Sequence, residues 1–340
     1  MLLQKLSDMI VLTLLPHRLT GTNRDQEVVQ KKGQIRMGLL PRKIAHVQVP
    51  PIKIQGIKTK LVPFIANSIS WEGTGVWYEP FMGSGVVGFN IAPQKAVFSD
   101  NNPYIIKFYQ DLKDNKIDSQ MVRSFLSDQG EKLSKTPKGK ESYYYFVRKR
   151  FNQTHTSLDF LFLQRSNFNG MVRFGPNGYN VPFGRKPDRF RPALITKIAN
   201  QVDWVQYQIH THDWEFKCQD WKAALSKVSK EDFVYLDPPY IGRHTEYFDS
   251  WGEDDANQLA DYANNHIAGG YALSMWYKNK YRENNHLQRW HGHLTTNEHF
   301  YFLGGKQFNR GSMTEALVTK NGSKFYVTKR SIAEWGRSEN

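Results

Sequence analysis

The sequence predicts an α/β fold whose β-sheet is mostly parallel and ends in an antiparallel hairpin. Residues 76–100 read as a strand, a glycine turn, a short helix and a second strand, which together make a βαβ unit. Three more β-rich runs follow, in "WEFKCQDW", "DFVYLDPPY" and "GGYALSMWY". The stretch "EALVTKNGSKFYVTK" has two β-rich runs joined by Asn321-Gly322, a dipeptide typical of hairpin turns.

Composition limits the classes of protein and partner. The 340 residues, of which 39% are hydrophobic, allow one large domain or two moderate ones. The 46 Lys and Arg residues outnumber the 32 Asp and Glu residues, and the net charge of +14 favours a polyanionic partner. No apolar run approaches the roughly 20 residues of a membrane-spanning helix, so nucleic acid is favoured over a membrane.

Cysteine usage points to a reducing compartment. The chain has one cysteine, Cys218, which excludes an internal disulfide, and we expect the protein to be cytoplasmic. The sequence has no Cys/His cluster, so no metal site is predicted. Cys218 itself is expected to be a buried strand residue rather than a nucleophile.

Changes in composition along the chain predict three parts. Residues 1–45 are polar and rich in Gly and Lys, and they are predicted to form an N-terminal extension of unknown role. Residues 46–115 and 205–335 carry the α/β pattern. Residues 116–204 mix basic and aromatic residues with Gly, Pro and Asn, which predicts loops or a hairpin inserted into the sheet domain.

The glycine turn "EPFMGSG" follows the first predicted strand. Gly83 and Gly85 would let the backbone turn tightly and approach a ligand, although a turn without a ligand has the same pattern. The acidic Glu79 at the strand end is a poor neighbour for a phosphate. A cationic ligand suits this turn better.

Asp100 ends the second predicted strand, in "SDNNP". A carboxylate at this place can accept hydrogen bonds from both hydroxyls of a ribose, and an Asx turn or a helix cap is the alternative. Together with Glu79, Asp100 indicates a nucleoside that carries positive charge. S-adenosylmethionine fits this description.

The stretch "FVYLDPPY" combines a buried-strand run with residues that stop a strand. The corner lies at the carboxyl end of the strand, where open α/β sheets bind their ligands. An exocyclic amine of a nucleobase is a poor nucleophile, and two acceptors, the Asp237 side chain and the Pro238 carbonyl, would activate it. Tyr240 would stack on a base that has left the duplex. A strand stop with a capping aspartate is the alternative.

The motifs resemble those of a known family. "DPPY" and "EPFMGSG" resemble the amino-methyltransferases of DNA, and "NFNGMVRFGPNGYNVPFGR" resembles the Dam-like adenine methyltransferases of the D12 class. The order of the motifs is that of the alpha group. The resemblance implies a Rossmann-like S-adenosylmethionine-dependent methyltransferase fold, with residues 46–115 and 205–335 as the catalytic domain and 116–204 as an inserted target-recognition region.

The resemblance also implies roles for individual residues. The expected cofactor-binding residues are Lys58, Glu79, Pro80, Phe81, Gly83, Gly85, Asp100, Asp220 and Trp221. The expected catalytic residues are Asp237, Pro238, Pro239 and Tyr240. Lys58 matches a lysine that reaches the cofactor, with Ile57 where a glycine is usual, and Asp220 would face the cofactor adenine beside Trp221.

Arginines and asparagines of the inserted segment are candidates for DNA contact, because Arg to guanine and Asn to adenine are frequent bidentate contacts. The expected DNA-binding residues are Arg173, Asn169, Asn180 and Arg185. Half or more of protein–DNA hydrogen bonds carry no sequence information, so contact with phosphate or shaping of the loop is the alternative for each.

These features predict a site-specific DNA methyltransferase that transfers a methyl group from S-adenosylmethionine to N6 of adenine in double-stranded DNA. No metal and no covalent enzyme intermediate are expected. A place in a restriction-modification system, beside a separate cognate endonuclease, is also expected. A cytosine-N4 methyltransferase is one alternative, and a nucleic-acid-binding module that has lost turnover is another. An RNA target would suit the positive charge equally.

Overall fold

The computed structural model describes residues 40, 41, 43–241, 251–279, 282–302 and 310–321. Most of the predicted N-terminal extension lies outside these ranges. The second arm of the hairpin predicted at Asn321-Gly322 also lies outside the described residues.

The strands of the described chain form one large sheet and one small hairpin. The sheet strands are β1 (Trp77–Glu79), β2 (Lys95–Asp100), β5 (Asp213–Cys218), β6 (Phe233–Leu236), β7 (Tyr271–Asn279), β8 (His293–Phe302) and β9 (Arg310–Lys320). The hairpin strands are β3 (Phe174–Gly175) and β4 (Gly178–Tyr179). The large sheet has the strand order β5-β2-β1-β6-β7-β9-β8.

The sheet is mostly parallel, as the sequence predicted. Strands β5, β2, β1, β6 and β7 pair in parallel, and β9 pairs antiparallel with both β7 and β8. The antiparallel pairs are therefore β7 with β9 and β8 with β9, and β9 contains the first arm of the predicted hairpin. The fold class is confirmed, while the pairing predicted across Asn321-Gly322 falls partly outside the described residues.

Strands β1 and β6 lie at the centre of the sheet and are buried along their whole length. Successive side chains of β6 alternate between two hydrophobic clusters: Tyr235 belongs to one, and Val234 and Leu236 to the other. A strand that is buried on both faces is typical of a parallel sheet covered on both sides.

Helices cover both faces of the sheet and fill most of the inserted segment. The helices of the described chain are α1 (Val62–Ser68), α2 (Val86–Ile91), α3 (Pro103–Lys113), α4 (Ser119–Ser134), α5 (Tyr143–Thr154), α6 (Ser157–Ser166), α7 (Pro192–Thr211), α8 (Trp221–Leu225) and α9 (Glu253–His266). Short 3-10 helices span Pro187–Phe190 and Asn285–Arg289.

The inserted segment differs from the prediction of loops or a hairpin. Helices α4, α5 and α6 and most of α7 lie between residues 116 and 204, and only the short β3–β4 hairpin matches the expectation. Helix α7 continues across the predicted boundary at residue 204, and Phe162 and Val202 share a hydrophobic cluster with Trp77 of β1. The segment is therefore packed onto the sheet domain as part of its core.

The order of the strands places a crevice at the middle of the sheet. The chain passes from β1 to β2 on one side, whereas β6 lies on the other side of β1. In open α/β sheets, ligands bind outside the carboxyl ends of the strands at such a switch point. Glu79 ends β1, and Asp237 follows β6, so both residues lie at this edge.

Candidate active site

Acidic residues lie at the carboxyl ends of four neighbouring strands. Glu79 ends β1, Asp100 ends β2, Asp220 follows β5 and Asp237 follows β6. Because the strands are parallel and in register, these carboxylates share one edge of the sheet. The arrangement suits a cationic ligand and repels a phosphate.

The glycine turn after β1 is fixed by left-handed backbone at both glycines. Gly83 has a φ of 49° and Gly85 a φ of 71°. A Cβ at Gly85 would lie 2.6 Å from the Phe89 ring, whereas a Cβ at Gly83 would have no atom nearer than 4.0 Å. The turn therefore leaves open space beside Gly83, where a ligand could approach the backbone.

Asp100 connects this turn to strand β2. Its Oδ2 accepts a hydrogen bond from the Gly83 N–H at 2.9 Å, and its Oδ1 accepts one from the Asn102 N–H at 2.9 Å. The Asx-turn contact weighed from the sequence is therefore present. Each oxygen keeps a second lone pair, so a ribose contact is compatible with both bonds. Burial raises the pKa of Asp100 to about 6, against the two hydrogen bonds, which lower it.

Glu79 is buried beneath the turn. Its Oε2 accepts hydrogen bonds from the Trp77 indole N–H at 3.1 Å and from the Gly88 N–H at 3.0 Å. Burial, with a smaller contribution from the nearby Asp237 charge, raises the pKa of Glu79 to about 8, against the hydrogen bonds from Trp77 and Gly88, which lower it. The side chain is therefore mostly protonated at neutral pH, and a cation beside it would favour its ionised form.

The other residues of the glycine turn are packed beside these acids. Pro80 is buried and Phe81 is half-buried. The Phe81 ring contacts the Trp251 ring edge to face, with centroids 5.4 Å apart. Phe81 therefore packs against an aromatic residue that lies two residues before α9, in a part of the chain without a predicted role.

The end of β5 and the residues after it include Asp220 and Trp221, which were expected to bind the cofactor, and Cys218, which was expected to be buried. Asp220 is exposed, and its Oδ1 caps helix α8 by accepting a hydrogen bond from the Ala223 N–H at 2.7 Å. Trp221 is buried, with its ring centroid 5.7 Å from that of Tyr262. Cys218, expected to be buried, is exposed because β5 is the edge strand of the sheet.

The thiol of Cys218 is a poor nucleophile. Burial of part of its surface, followed by the charge of Asp100, raises the pKa of the Cys218 thiol. The thiol therefore stays protonated at neutral pH.

Asp237 forms an ion pair with Lys58 at the carboxyl end of β6. The Lys58 Nζ donates to Asp237 Oδ1 at 2.7 Å and to Oδ2 at 2.9 Å, and it also donates to the Gly56 carbonyl at 3.3 Å. The Lys58 side chain is 5% exposed, whereas that of Asp237 is 21% exposed. The pair is thus shielded on the lysine side and open to the crevice on the carboxylate side.

Each charge of the Lys58–Asp237 pair favours the ionised form of the other. Burial alone would lower the pKa of Lys58, but Asp237, with smaller effects from Tyr240 and Glu315, raises it well above the usual value. Burial raises the pKa of Asp237, and Lys58 opposes this. Lys58 is therefore the group that favours the ionised form of Asp237.

Tyr240 lies over this ion pair. The Lys58 Nζ is 5.3 Å from the centroid of the Tyr240 ring, within the range of a cation–π contact. The Tyr240 hydroxyl donates a hydrogen bond to Glu315 Oε2 at 3.3 Å. Pro238 is buried and Pro239 half-buried, and they separate the carboxylate from the ring.

Glu315 is a site residue that the sequence reasoning missed. It lies on β9, 75 residues after Tyr240 along the chain, and it is 1% exposed. The available signal was the stretch "MTEALVT", in which a carboxylate lies within a run typical of a buried strand. Its place beside Tyr240 depends on the pairing of β9 with β7, which the sequence did not predict.

The four residues expected to bind DNA lie in and beside the β3–β4 hairpin. Arg173 and Asn180 contact each other, with Arg173 Nε donating to Asn180 Oδ1 at 2.6 Å. Asn169 and Arg185 are exposed, and both have positive φ angles, of 56° and 55°. The hairpin therefore joins two of the predicted residues directly, and the other two lie in the loops on either side.

These loops connect to the segment that carries Lys58. The Phe168 N–H donates to the Pro182 carbonyl at 3.0 Å, which holds the two loops side by side. The Gln55 N–H donates to the Gly170 carbonyl at 3.1 Å. The hairpin region thus contacts the chain three residues before Lys58.

Other candidate sites are absent or lie elsewhere among the residues that the structure describes. No group of three or more His, Cys, Asp or Glu side chains is placed to hold a metal ion there. None of the described helices is long and apolar enough to cross a membrane. A cavity of about 750 Å³ lies between α3 and the outer edge of β5, and the predicted cofactor residues do not line it.

A family model matches residues 55–296, and its description is D12 class N6 adenine-specific DNA methyltransferase. The match covers most of the chain and spans the glycine turn, the inserted segment and Asp237. The chain belongs to this family. Membership confirms the family expected from the motifs, and it implies S-adenosylmethionine as the methyl donor.

Curated relatives of this chain are named Type II methyltransferases or DNA adenine methylases. It is 28% identical over 214 residues to the Type II methyltransferase M1.LlaDCHI of Lactococcus lactis subsp. cremoris. The aligned region covers 60% of this chain and 70% of the relative. It is 27% identical over 285 residues to the Type II methyltransferase M.FokI of Planomicrobium okeanokoites, with 79% and 42% covered. It is 29% identical over 168 residues to the DNA adenine methylase of Haemophilus influenzae, with 48% and 54% covered. The chain thus spans only about half of the last two relatives.

Proposed function

We propose that this methyltransferase transfers a methyl group from S-adenosylmethionine to N6 of adenine in double-stranded DNA, as the modification enzyme of a restriction-modification system. The observation that carries the proposal is the group of Lys58, Asp237 and Tyr240 at the carboxyl end of β6. The names of the Type II relatives support a separate cognate endonuclease as its counterpart.

The acidic edge of the sheet suits the methyl donor, whose sulfonium and amino groups are cationic. In this proposal, Glu79, Pro80, Phe81, Gly83 and Gly85 surround its methionine half, because the turn leaves open space beside Gly83 and places a buried acid below it.

The nucleoside half of the donor would lie along the ends of β2 and β5. Asp100 would bind the ribose with its remaining lone pairs. Asp220 and Trp221 would face the adenine ring, which lies beyond the end of β5 in this arrangement. Because the Asp220 carboxylate caps α8, its contact with the adenine would use the oxygen that does not bond Ala223.

The residues after β6 would activate the adenine amine. The Asp237 carboxylate and the Pro238 carbonyl would accept its two hydrogens, which increases the electron density of the nitrogen toward the donor methyl group. The two prolines, which lack N–H groups and fix φ, hold these acceptors in place. After transfer, the extra proton on N6 would leave to solvent or to Asp237.

Lys58 would keep Asp237 in its ionised form. The three N–H groups of Lys58 are directed at two carboxylate oxygens and the Gly56 carbonyl. A contact between Lys58 and the methyl donor, as expected from the motif, would require one of these bonds to break. We therefore assign Lys58 a primary role on Asp237.

The target adenine must leave the duplex to reach this site, because N6 is paired and stacked inside DNA. Tyr240 would then stack on the flipped base, with its ring already held over Lys58. The half-buried face of Asp237 opens toward the same crevice.

Residues 116–204 would act as the target-recognition region. Arg173, Asn169, Asn180 and Arg185 lie in and beside one hairpin, and the net charge of +14 favours DNA binding. The bond between Arg173 and Asn180 would open or reorient when these side chains meet base edges.

The test is methyl transfer from labelled S-adenosylmethionine to mixed-sequence duplex DNA, followed by nucleoside analysis. We expect label in N6-methyladenine, and none with Asp237→Ala. Label in N4-methylcytosine would support the same amine methylation but identify cytosine, not adenine, as the target base. An enzyme that binds the donor but labels no DNA would contradict the proposal and favour RNA or a binding role.

A further inference from the structure

We infer that Glu315 is a positioning residue of the active site, which orients the Tyr240 ring through its hydroxyl and places a second negative charge beside the Lys58–Asp237 pair. The inference rests on the proposed function, because it gives Glu315 a part in the same methyl transfer. Glu315 lies outside residues 55–296, the part that the family model matches.

The position of Glu315 in the sheet is fixed by strands on both sides. It lies opposite Trp276 of β7 and opposite Asn297 of β8, in the middle of the long antiparallel strand β9. Its side chain is 1% exposed. A carboxylate at such a place costs folding free energy unless it is hydrogen-bonded or paired, and the Tyr240 hydroxyl is one of the groups that satisfy it.

The contact with Tyr240 gives this carboxylate a way to act on the substrate base. The Tyr240 hydroxyl donates to Glu315 Oε2 at 3.3 Å, and the Tyr240 ring lies 5.3 Å from Lys58 Nζ. The ring is thus held at its hydroxyl by Glu315 and at its face by Lys58. A stacking ring that is oriented before the base arrives lowers the ordering cost of binding.

The charge of Glu315 also reaches the ion pair. It raises the pKa of Lys58, and it raises the pKa of Asp237 against the opposite effect of Lys58. Among the residues that the structure describes, Tyr240, Tyr235 and Glu79 also interact electrostatically with this pair.

A negative charge on Glu315 fits the reaction. The adenine nitrogen gains positive charge as it bonds to the methyl group, until one proton leaves it. Glu315 lies behind the stacking ring and contributes to a field that favours this charge, without touching the base itself. Its expected effect is therefore on turnover more than on binding of the methyl donor.

Three substitutions separate the contributions of the Glu315 charge and of its hydrogen bond with Tyr240. Glu315→Gln keeps an oxygen that can accept the Tyr240 hydroxyl but removes the charge. Glu315→Ala removes both. Tyr240→Phe keeps the ring and removes only the hydroxyl. Glu298→Gln is the matched control, because Glu298 is an exposed carboxylate on the neighbouring strand β8.

The experiment measures kcat and the KM for S-adenosylmethionine of each variant across pH, with thermal unfolding as a check of folding. We expect Glu315→Ala and Tyr240→Phe each to lower kcat on the order of tenfold, and the double variant to lose no more than Glu315→Ala alone. The KM for S-adenosylmethionine should stay near the wild-type value. Glu298→Gln should behave as wild type.

The pH profile gives the readout that a purely structural role would not change. Because Glu315 raises the pKa of Asp237, Glu315→Gln should move the acid limb of the kcat profile to lower pH. If Glu315→Ala fails to fold, kcat and the pH profile can still be measured for Glu315→Gln, because glutamine has nearly the same size as glutamate.

The outcomes separate this inference from the proposed function. A wild-type enzyme that methylates DNA, with unchanged kcat and acid limb in the Glu315 variants, would overturn the role of Glu315 alone. Losses that multiply in the double variant would show that Glu315 does not act through the Tyr240 hydroxyl, which also overturns it. A wild type that transfers no methyl group to adenine would overturn both.

Discussion

The carboxyl edge of the sheet and the inserted hairpin place acidic residues and basic or amide residues in opposite environments. At the edge, Glu79 and Glu315 are buried, and burial raises the pKa of Glu79 to about 8. At the hairpin, Asn169 and Arg185 are exposed. The edge therefore suits a small cation bound in a crevice, and the hairpin suits a large polyanion bound at a surface.

The comparison teaches that the two regions tolerate change differently. Asp237 and Lys58 form a shielded pair, so loss of either leaves a charge without its partner. Arg173 forms its hydrogen bond with Asn180, a neutral side chain near the surface. Substitutions at the edge should therefore affect the chemical step, and substitutions at the hairpin should affect DNA affinity.

The largest expected effect is that of Asp237→Asn. The amide presents an N–H group where an acceptor is needed, so we expect turnover to fall on the order of 10²–10³-fold or more. S-adenosylmethionine affinity, measured by calorimetry, should change little. Asp213→Asn is the control, because Asp213 is an exposed carboxylate at the other end of β5. Wild-type turnover in Asp237→Asn would contradict the assignment.

Lys58→Met should have the second largest effect. Lys58 lowers the pKa of Asp237, so its removal raises that pKa further, and activity that needs ionised Asp237 is then lost at higher pH. The acid limb of the pH–rate profile should move upward, opposite in direction to the shift expected for Glu315→Gln. The exposed Lys60, as Lys60→Met, provides the control. An unmoved acid limb would argue against a role of Lys58 on Asp237.

A smaller effect is expected in the pH dependence of cofactor binding. Glu79 is mostly protonated below its pKa of about 8, and the cationic methyl donor favours the ionised form. Affinity should therefore rise with pH up to about 8 and then level off, with proton release on binding at pH 7. Calorimetry in buffers of different ionisation enthalpy measures the released proton. Glu79→Gln should flatten the profile between pH 6, near the pKa of Asp100, and pH 8.

The smallest expected effect is that of Arg173→Ala. Loss of one base or phosphate contact should weaken DNA binding roughly tenfold, measured by fluorescence anisotropy at two salt concentrations. A phosphate contact would also lower the salt dependence of binding, whereas a base contact would relax sequence preference. Lys132→Ala, which removes an exposed charge from α4, is the control. Equal losses in the two variants would mean that Arg173 contributes only general charge.

The sequence predicted the edge of the sheet well, because a parallel strand determines where the next residue lies. The run at residues 233–236 is buried as predicted, so Asp237 had to follow at the carboxyl end of a central strand. The glycine turn and Asp100 are linked by a hydrogen bond for the same reason, since they end neighbouring strands.

The rest depends on contacts between residues that are distant in sequence. Glu315 lies beside Tyr240 because β9 pairs with β7. The hairpin signal at Asn321-Gly322 predicted a different pairing. In the insertion, the turn residues around 169–185 suggested loops, while the helices before and after them are held by packing against the sheet domain. Cys218 is exposed because its strand is at an edge, which local pattern does not reveal.

The most direct test of the division between the two regions is single-turnover methyl transfer from a preformed complex of enzyme, S-adenosylmethionine and saturating duplex DNA. Asp237→Asn should be slow at any DNA concentration. Arg173→Ala should reach the wild-type rate once DNA is saturating. A normal rate with Asp237→Asn, or a slow rate with Arg173→Ala at saturating DNA, would contradict the separation of chemistry at the sheet edge from DNA binding at the hairpin.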